Sequence, residues 1–200
     1  MVHTISCAII HHRKLDILWM RITKVTTKTG DGGKTSLGNG HRVHKNHPII
    51  NTLGELDYLN SIIGWAEVES ANESYSRELK NIQQDIFNIS GDLSLPNSDV
   101  SLLKEERIIH LEKMIKSMNE KLPPLEEFIL PGGSELNARL HIARTTCRNS
   151  ERSLVSLHLK HNKNEIHAKY LNRLSDYLFL LARDVAQSEN QNEEHWELEK

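Results

Sequence analysis

The chain has 200 residues, enough for one domain with its own core. Its formal net charge is −2 and aromatics make 5% of it, which argues against a nucleic-acid surface, an anionic-membrane surface and a base-stacking platform. Two cysteines, Cys7 and Cys147, are too few for a disulfide framework and fit a reducing cytosol, and no apolar run reaches the ~18 residues of a membrane span; a cytoplasmic protein with no membrane or nucleic-acid partner is expected.

Residues 1–19, MVHTISCAIIHHRKLDILW, have a short apolar patch without a positive flank or a cleavage site. They read as a flexible extension or an over-extended start, and the domain is expected over residues 20–188. RITKVTT, residues 21–27, is the one candidate strand. Next comes TTKTGDGGKTSLGNG, residues 26–40, the stretch poorest in side-chain bulk. Thr27, Lys28, Thr29, Gly30, Thr35 and Ser36 offer uncrowded backbone N–H groups, hydroxyls and an ammonium, a set that suits a polyphosphate. Asp31 could orient a lysine or hold a hydrated Mg²⁺. The G-x-x-x-x-G-K-[S/T] spacing is absent, so this is not a Walker loop. On the residues alone a flexible linker remains the alternative.

Five amphipathic patterns follow, each with apolar residues at three-four spacing. They run through Leu53–Leu56–Leu59–Ile63, Leu79–Ile82–Ile86–Ile89–Leu93, Ile108–Leu111–Ile115–Met118–Leu122, Leu136–Leu140–Ala143–Cys147–Leu154–Leu157 and Tyr170–Leu174–Leu178–Leu181–Val185. SLPNSD (94–99), LPPLEEFILPGGS (122–134) and HNKNE (161–165) break the later four apart. An all-α, five-helix bundle with an irregular N-terminal arm is predicted. Residues 189–200 read as a polar, fraying tail.

On the fourth pattern, ARTTCRNSER places Arg144, Arg148 and Arg152 at four-residue steps with Glu151 beside them. Like charges at this spacing repel mildly. A phosphate chain, or carboxylates such as Asp57 or Asp176, would compensate them; a solvated face with stray salt bridges is the alternative. Asn172, Arg173 and Asp176 lie off the last apolar stripe, and Phe179 interrupts that polar side. Such a second apolar face is either covered, by another subunit for example, or solvated. His41, His44 and His47 sit in a loop with Pro48 and lack a carboxylate cluster, a poor metal site. Cys147 lies on the apolar stripe as a small core residue.

Together TKTGDGGKTSLGNGHRVHK, LGELDYLNSIIG, FILPGG, ARTTCRNSER and YLNRLSDYLF, at this order and spacing, resemble the PduO-type ATP:cob(I)alamin adenosyltransferases over residues 22–185. The resemblance implies a trimeric five-helix bundle with active sites between subunits. It implies transfer of the 5′-deoxyadenosyl group of ATP, with Mg²⁺, to cob(I)alamin, leaving triphosphate in the glycine-rich loop. Thr27, Lys28, Thr29, Gly30, Thr35, Ser36 and Lys45 would then contact ATP. Arg148, Asn149, Ser150, Glu151, Arg152 and Asn172 would complete that site, with Arg148, Glu151 and Asn172 the catalytic set. Asp57 and Arg144 would pair across the subunit interface, and Phe128 would press on the corrinoid and favour loss of its lower axial ligand. No metal site made of protein groups alone is implied. A cob(II)alamin reductase and an adenosylcobalamin-dependent enzyme are the implied partners. Tyr58 departs from the glutamate common in the first-helix motif, and Asn149 and Ser150 from the usual pair after Arg148. A non-catalytic ATP or cobalamin carrier and an unrelated nucleotide hydrolase are the competing readings; the hydrolase lacks a water-activating constellation.

Overall fold

The computed structural model describes residues 26–96, 101–125, 127–161 and 166–197. The reading of residues 1–19, most of RITKVTT, the HNKNE break and the last three residues of the tail lie outside them. The described order is β1 (Lys34–Ser36), β2 (Arg42–His44), α1 (Pro48–Glu67), α2 (Glu73–Ser94), α3 (Glu105–Lys121), α4 (Glu135–His161) and α5 (Ile166–Ser188).

The five periodic patterns become five helices whose stripes meet in one core. Leu56, Leu59, Ile63, Leu79, Ile82, Leu111, Leu140, Ala143, Leu174 and Leu178 are all fully buried there. Each large side chain taken from water contributes about 1.5–3 kcal/mol, so the shared core outweighs any local propensity. Helix α4 is central, packed on α5 and α1; α2 lies on α1 and α3 on α5. Polar contacts set the register of α1 against α4. The Thr52 and Ser153 hydroxyls meet at 2.9 Å, and Ser150 donates to the Glu55 carbonyl at 3.0 Å.

Helix starts follow from local chemistry. Pro48 sits in the first turn of α1, where its missing N–H costs nothing, and His47 Nδ1 accepts from the Ile49 N–H. Asn72 caps α2 by accepting from Ser74 and Tyr75. No described helix is long and apolar enough to cross a membrane.

The arm differs from the expected irregular segment. It contains an antiparallel hairpin pairing Lys34 with His44, Thr35 with Val43 and Ser36 with Arg42. Three-residue strands are too short for alternation to show in sequence. The hairpin turn is fixed by Leu37, which is buried, and by Gly40 at φ 82°. The tail also departs from expectation over residues 189–197. Instead of fraying it lies along the connection between α3 and α4: Leu130 donates to Glu194 O at 2.8 Å and Trp196 to Phe128 O at 2.7 Å. Backbone pairing does not need apolar side chains, which is why a polar composition concealed it.

Candidate active site

The glycine-rich loop precedes and enters the hairpin. Asp31 N–H donates to Lys28 O and Gly33 N–H to Gly30 O, two successive tight turns. Gly33 has φ 77°, and Lys28, with φ 58°, holds a left-handed conformation that non-glycine residues seldom adopt. Two such positions in six residues turn the loop tightly, and small side chains leave its backbone open to a ligand. Lys45 Nζ would lie 3.3 Å from a Cβ built on Gly30. Glycine there is what lets this ammonium close over the loop. Lys45 is held by its own N–H, which donates to Gly33 O at 2.9 Å. Thr27 and Thr29 hydroxyls meet at 2.9 Å, and Thr29 and Lys28 remain exposed. Thr35 and Ser36 are half-buried on β1.

Arg42 was not read from sequence, yet it organises the loop. Its Nη2 donates to Thr29 O at 2.7 Å and to Lys34 O at 3.3 Å. The signal available was an arginine facing the loop across a hairpin, and the hairpin itself was not visible.

On α4, Arg148, Asn149 and Arg152 are exposed and Glu151 is half-buried. Arg152 donates to Asn149 Oδ1. Cys147, buried on the inner side, donates to Leu171 O at 3.2 Å. That contact is one of those by which α5 packs on α4, and Asn172 follows Leu171 in α5. The Cys147 thiol is pushed well up, first by burial and then by the Glu151 carboxylate. A proton held this tightly rules the thiol out as a nucleophile. Asn172 Oδ1 accepts from Arg173, whose Nε pairs with Glu112 at 3.0 Å.

Ser150 requires correction as a nucleotide contact. It is fully buried, and its hydroxyl is directed at the carbonyls of Glu55 and Thr146. A serine facing the α1 side of the helix cannot also face solvent with Arg148.

Asp57 is exposed on α1 and Arg144 half-buried on α4. Among the described residues no ion pair joins either to a partner. Arg144 instead approaches His141 Nδ1 at 3.4 Å and stands 5.9 Å from the Phe179 ring centre. Burial, then the neighbouring Arg144, pulls the His141 imidazole down to about 4, so it is neutral here. Phe179 is thus neither solvated nor wholly free: His141 meets its edge at 6.2 Å. Phe179 also lines a cleft of about 510 Å³ with Ile115, Leu122, Pro124, Leu125 and Leu180, rimmed by Asp176 and Arg183. Phe128 stands on the nearby α3–α4 connection, 76% exposed, with Trp196 edge-on at 6.4 Å.

Two groups of the expected residues are therefore distinguishable: the loop with Lys45 and Arg42, and Arg148, Glu151 and Arg152 on α4 with Asn172 on the neighbouring α5. Among the described residues no hydrogen bond or ion pair joins them within one chain. No group of three or more His, Cys, Asp or Glu side chains is arranged for a metal ion among the described residues.

A sequence profile of the family described as cobalamin adenosyltransferase matches residues 25–185. A cobalamin adenosyltransferase of Cupriavidus metallidurans is 43% identical over 181 residues, which is 90% of this chain and 97% of that protein. The corrinoid adenosyltransferase PduO of Citrobacter freundii is 38% identical over 84% of this chain, which spans about half of that protein's length, 51%. Among solved structures, a variant PduO-type ATP:corrinoid adenosyltransferase from Lactobacillus reuteri, complexed with cobalamin and ATP, superposes with a TM-score of 0.83. It is 35% identical, and the match covers 86% of this chain and 99% of that one.

Proposed function

The chain belongs to the cobalamin adenosyltransferase family, and on that premise we propose that it transfers the 5′-deoxyadenosyl group of ATP to the cobalt of cob(I)alamin, releasing triphosphate. The observation that carries this reading is a glycine-rich loop with the Lys45 ammonium beside Gly30, in a chain that also carries exposed Arg148 and Arg152 on one helix. Cobalt(I) of the substrate supplies the electron pair to ribose C5′; the C5′–O bond breaks and its electrons leave with the triphosphate. The chain needs only to align the two substrates and neutralise the leaving group.

In this proposal Thr27, Lys28, Thr29, Gly30, Thr35, Ser36 and Lys45 hold the triphosphate. Arg148, Asn149, Glu151, Arg152 and Asn172 complete the nucleotide site, and Arg148 meets the charge that develops as the C5′–O bond breaks. Ser150 is left out of the contact set. Mg²⁺ enters bound to the nucleotide's oxygens, where it shares their charge. Phe128, exposed on the α3–α4 connection, presses on the corrinoid. An apolar environment on the lower face disfavours an axial ligand, which makes the cobalt easier to reduce.

The two groups are half-sites, completed by neighbouring copies in a homotrimer. Exposed Tyr58, Trp65 and Ile142 on α1 and α4, beside unpaired Asp57 and Arg144, support a subunit face there, and an Asp57–Arg144 pair would cross it. The cobalt must arrive reduced and the product be consumed, so a cob(II)alamin reductase and an adenosylcobalamin-dependent enzyme are the partners this chemistry calls for. Two cysteines, too few for a disulfide framework, support a cytosolic setting for this chemistry.

The test is anaerobic absorbance spectroscopy with ATP, Mg²⁺ and cob(I)alamin. Wild type is expected to consume the Co(I) band and form a light-sensitive product, and Arg148→Ala to slow this by roughly 100-fold or more with its helical signal unchanged. ATP binding without product by wild type would favour the carrier reading. Orthophosphate released without cobalamin would favour the hydrolase.

A further inference from the structure

Beyond α5, residues 191–197 read QNEEHWE, a stretch with a single large apolar side chain. Its composition gives it little reason to dock. Even so, Ile129 and His195 form an antiparallel bridge, and the flanking bonds from Leu130 to Glu194 and from Trp196 to Phe128 are 2.8 and 2.7 Å long. The anchor is Arg183 on α5, only 5% exposed. Its Nε donates to Glu193 Oε1 at 2.8 Å and its Nη2 to Glu193 Oε2 at 3.1 Å. The same Nη2 donates to the Pro123 carbonyl at 3.0 Å. One guanidinium therefore ties three segments together: α5, the start of the α3–α4 connection, and the tail. A planar fork that satisfies a carboxylate at two points fixes direction as well as distance.

The consequence falls on Phe128. Its side chain is 76% exposed and, among the described residues, has Trp196 as its one ring neighbour. Packing does not hold it, so its position is set by backbone, and that backbone is held by the tail. We infer that Arg183 and Glu193 are positioning residues for the corrinoid half of the reaction, fixing Phe128 through the C-terminal segment. The inference rests on the proposed corrinoid chemistry. The loop and the Arg148 face are joined to this anchor by no described hydrogen bond, so ATP binding should not depend on it.

The test uses the full chain and compares wild type, Glu193→Ala and the double variant Arg183→Met/Glu193→Met. The double variant removes both charges at similar volume, so no unpaired guanidinium is left to unfold the chain. The readouts are the KM for ATP, the KM for the corrinoid, and the absorbance of cob(II)alamin that has lost its lower axial ligand. Expected in both variants are about a 10-fold loss in kcat/KM for the corrinoid and a loss of the ligand-free cob(II)alamin band, with the KM for ATP within about 2-fold. In a Phe128→Ala background Glu193→Ala should add nothing further, because it acts through that ring. Unchanged corrinoid parameters, or corrinoid and ATP parameters falling together, would overturn the anchor while wild-type turnover left the reaction standing. A wild type that forms no product removes the corrinoid reading, and the inference with it.

Discussion

Ser150 shows how much one residue's direction decides. It lies in ARTTCRNSER between two residues that face solvent, Asn149 and half-buried Glu151. A one-residue step on a helix turns a side chain by about 100°, enough to move it from the nucleotide face to the α1 contact. Ser150→Ala should therefore lower stability by about 0.5–1.5 kcal/mol, the worth of a buried hydroxyl's hydrogen bond. It should leave ATP affinity unchanged. Denaturant unfolding and an ATP titration check the two halves; a weakened affinity with unchanged stability would return Ser150 to the site. The arginines of the motif were noticeable from sequence because like charges at four-residue steps repel mildly unless compensated. Arg42 and Glu193 were not legible, because each acts on a segment distant in sequence.

The helices were readable from periodicity, since each buries a stripe against the same core. What periodicity does not show is how polar groups inside that core are satisfied. Asp85 of α2 is buried, and burial pushes its carboxyl up against the opposing pull of its partners. It accepts from Arg107 Nε of α3 at 2.7 Å and from the Tyr170 hydroxyl of α5 at 2.7 Å. Arg107 also reaches Glu78 Oε1 at 3.1 Å. Three helices are thus joined at one carboxylate. Asp85→Ala leaves the buried Tyr170 hydroxyl without its acceptor and Arg107 with Glu78 alone, and should cost about 1–3 kcal/mol. Denaturant unfolding measures this; a loss under about 1 kcal/mol would show that water replaces the carboxylate. The two short strands were hidden for a different reason, since their pairing depends on backbone groups that every residue has.

At the scale of the molecule, the two half-sites and the unpaired Asp57 and Arg144 lead to one expectation. If the proposed trimer forms, Asp57→Ala should shift it towards smaller species in sedimentation velocity and reduce adenosylation in proportion. The unfolding free energy of the dissociated chain should change by less than about 0.5 kcal/mol, because an exposed carboxylate contributes little within one chain. A variant that remains trimeric and fully active would remove the pair from the interface.

The sequence by itself determined the five helices, the core stripes and the anion-suited loop, because these depend on spacing and side-chain chemistry within short stretches. The family motifs were equally visible there. Only the tertiary structure decided that Ser150 faces inward, that Lys45 closes over Gly30, and that Arg183 anchors the tail beneath Phe128. Those facts depend on which segments meet in space, and a contact between residues such as Arg183 and Pro123 leaves no local periodic mark on either one.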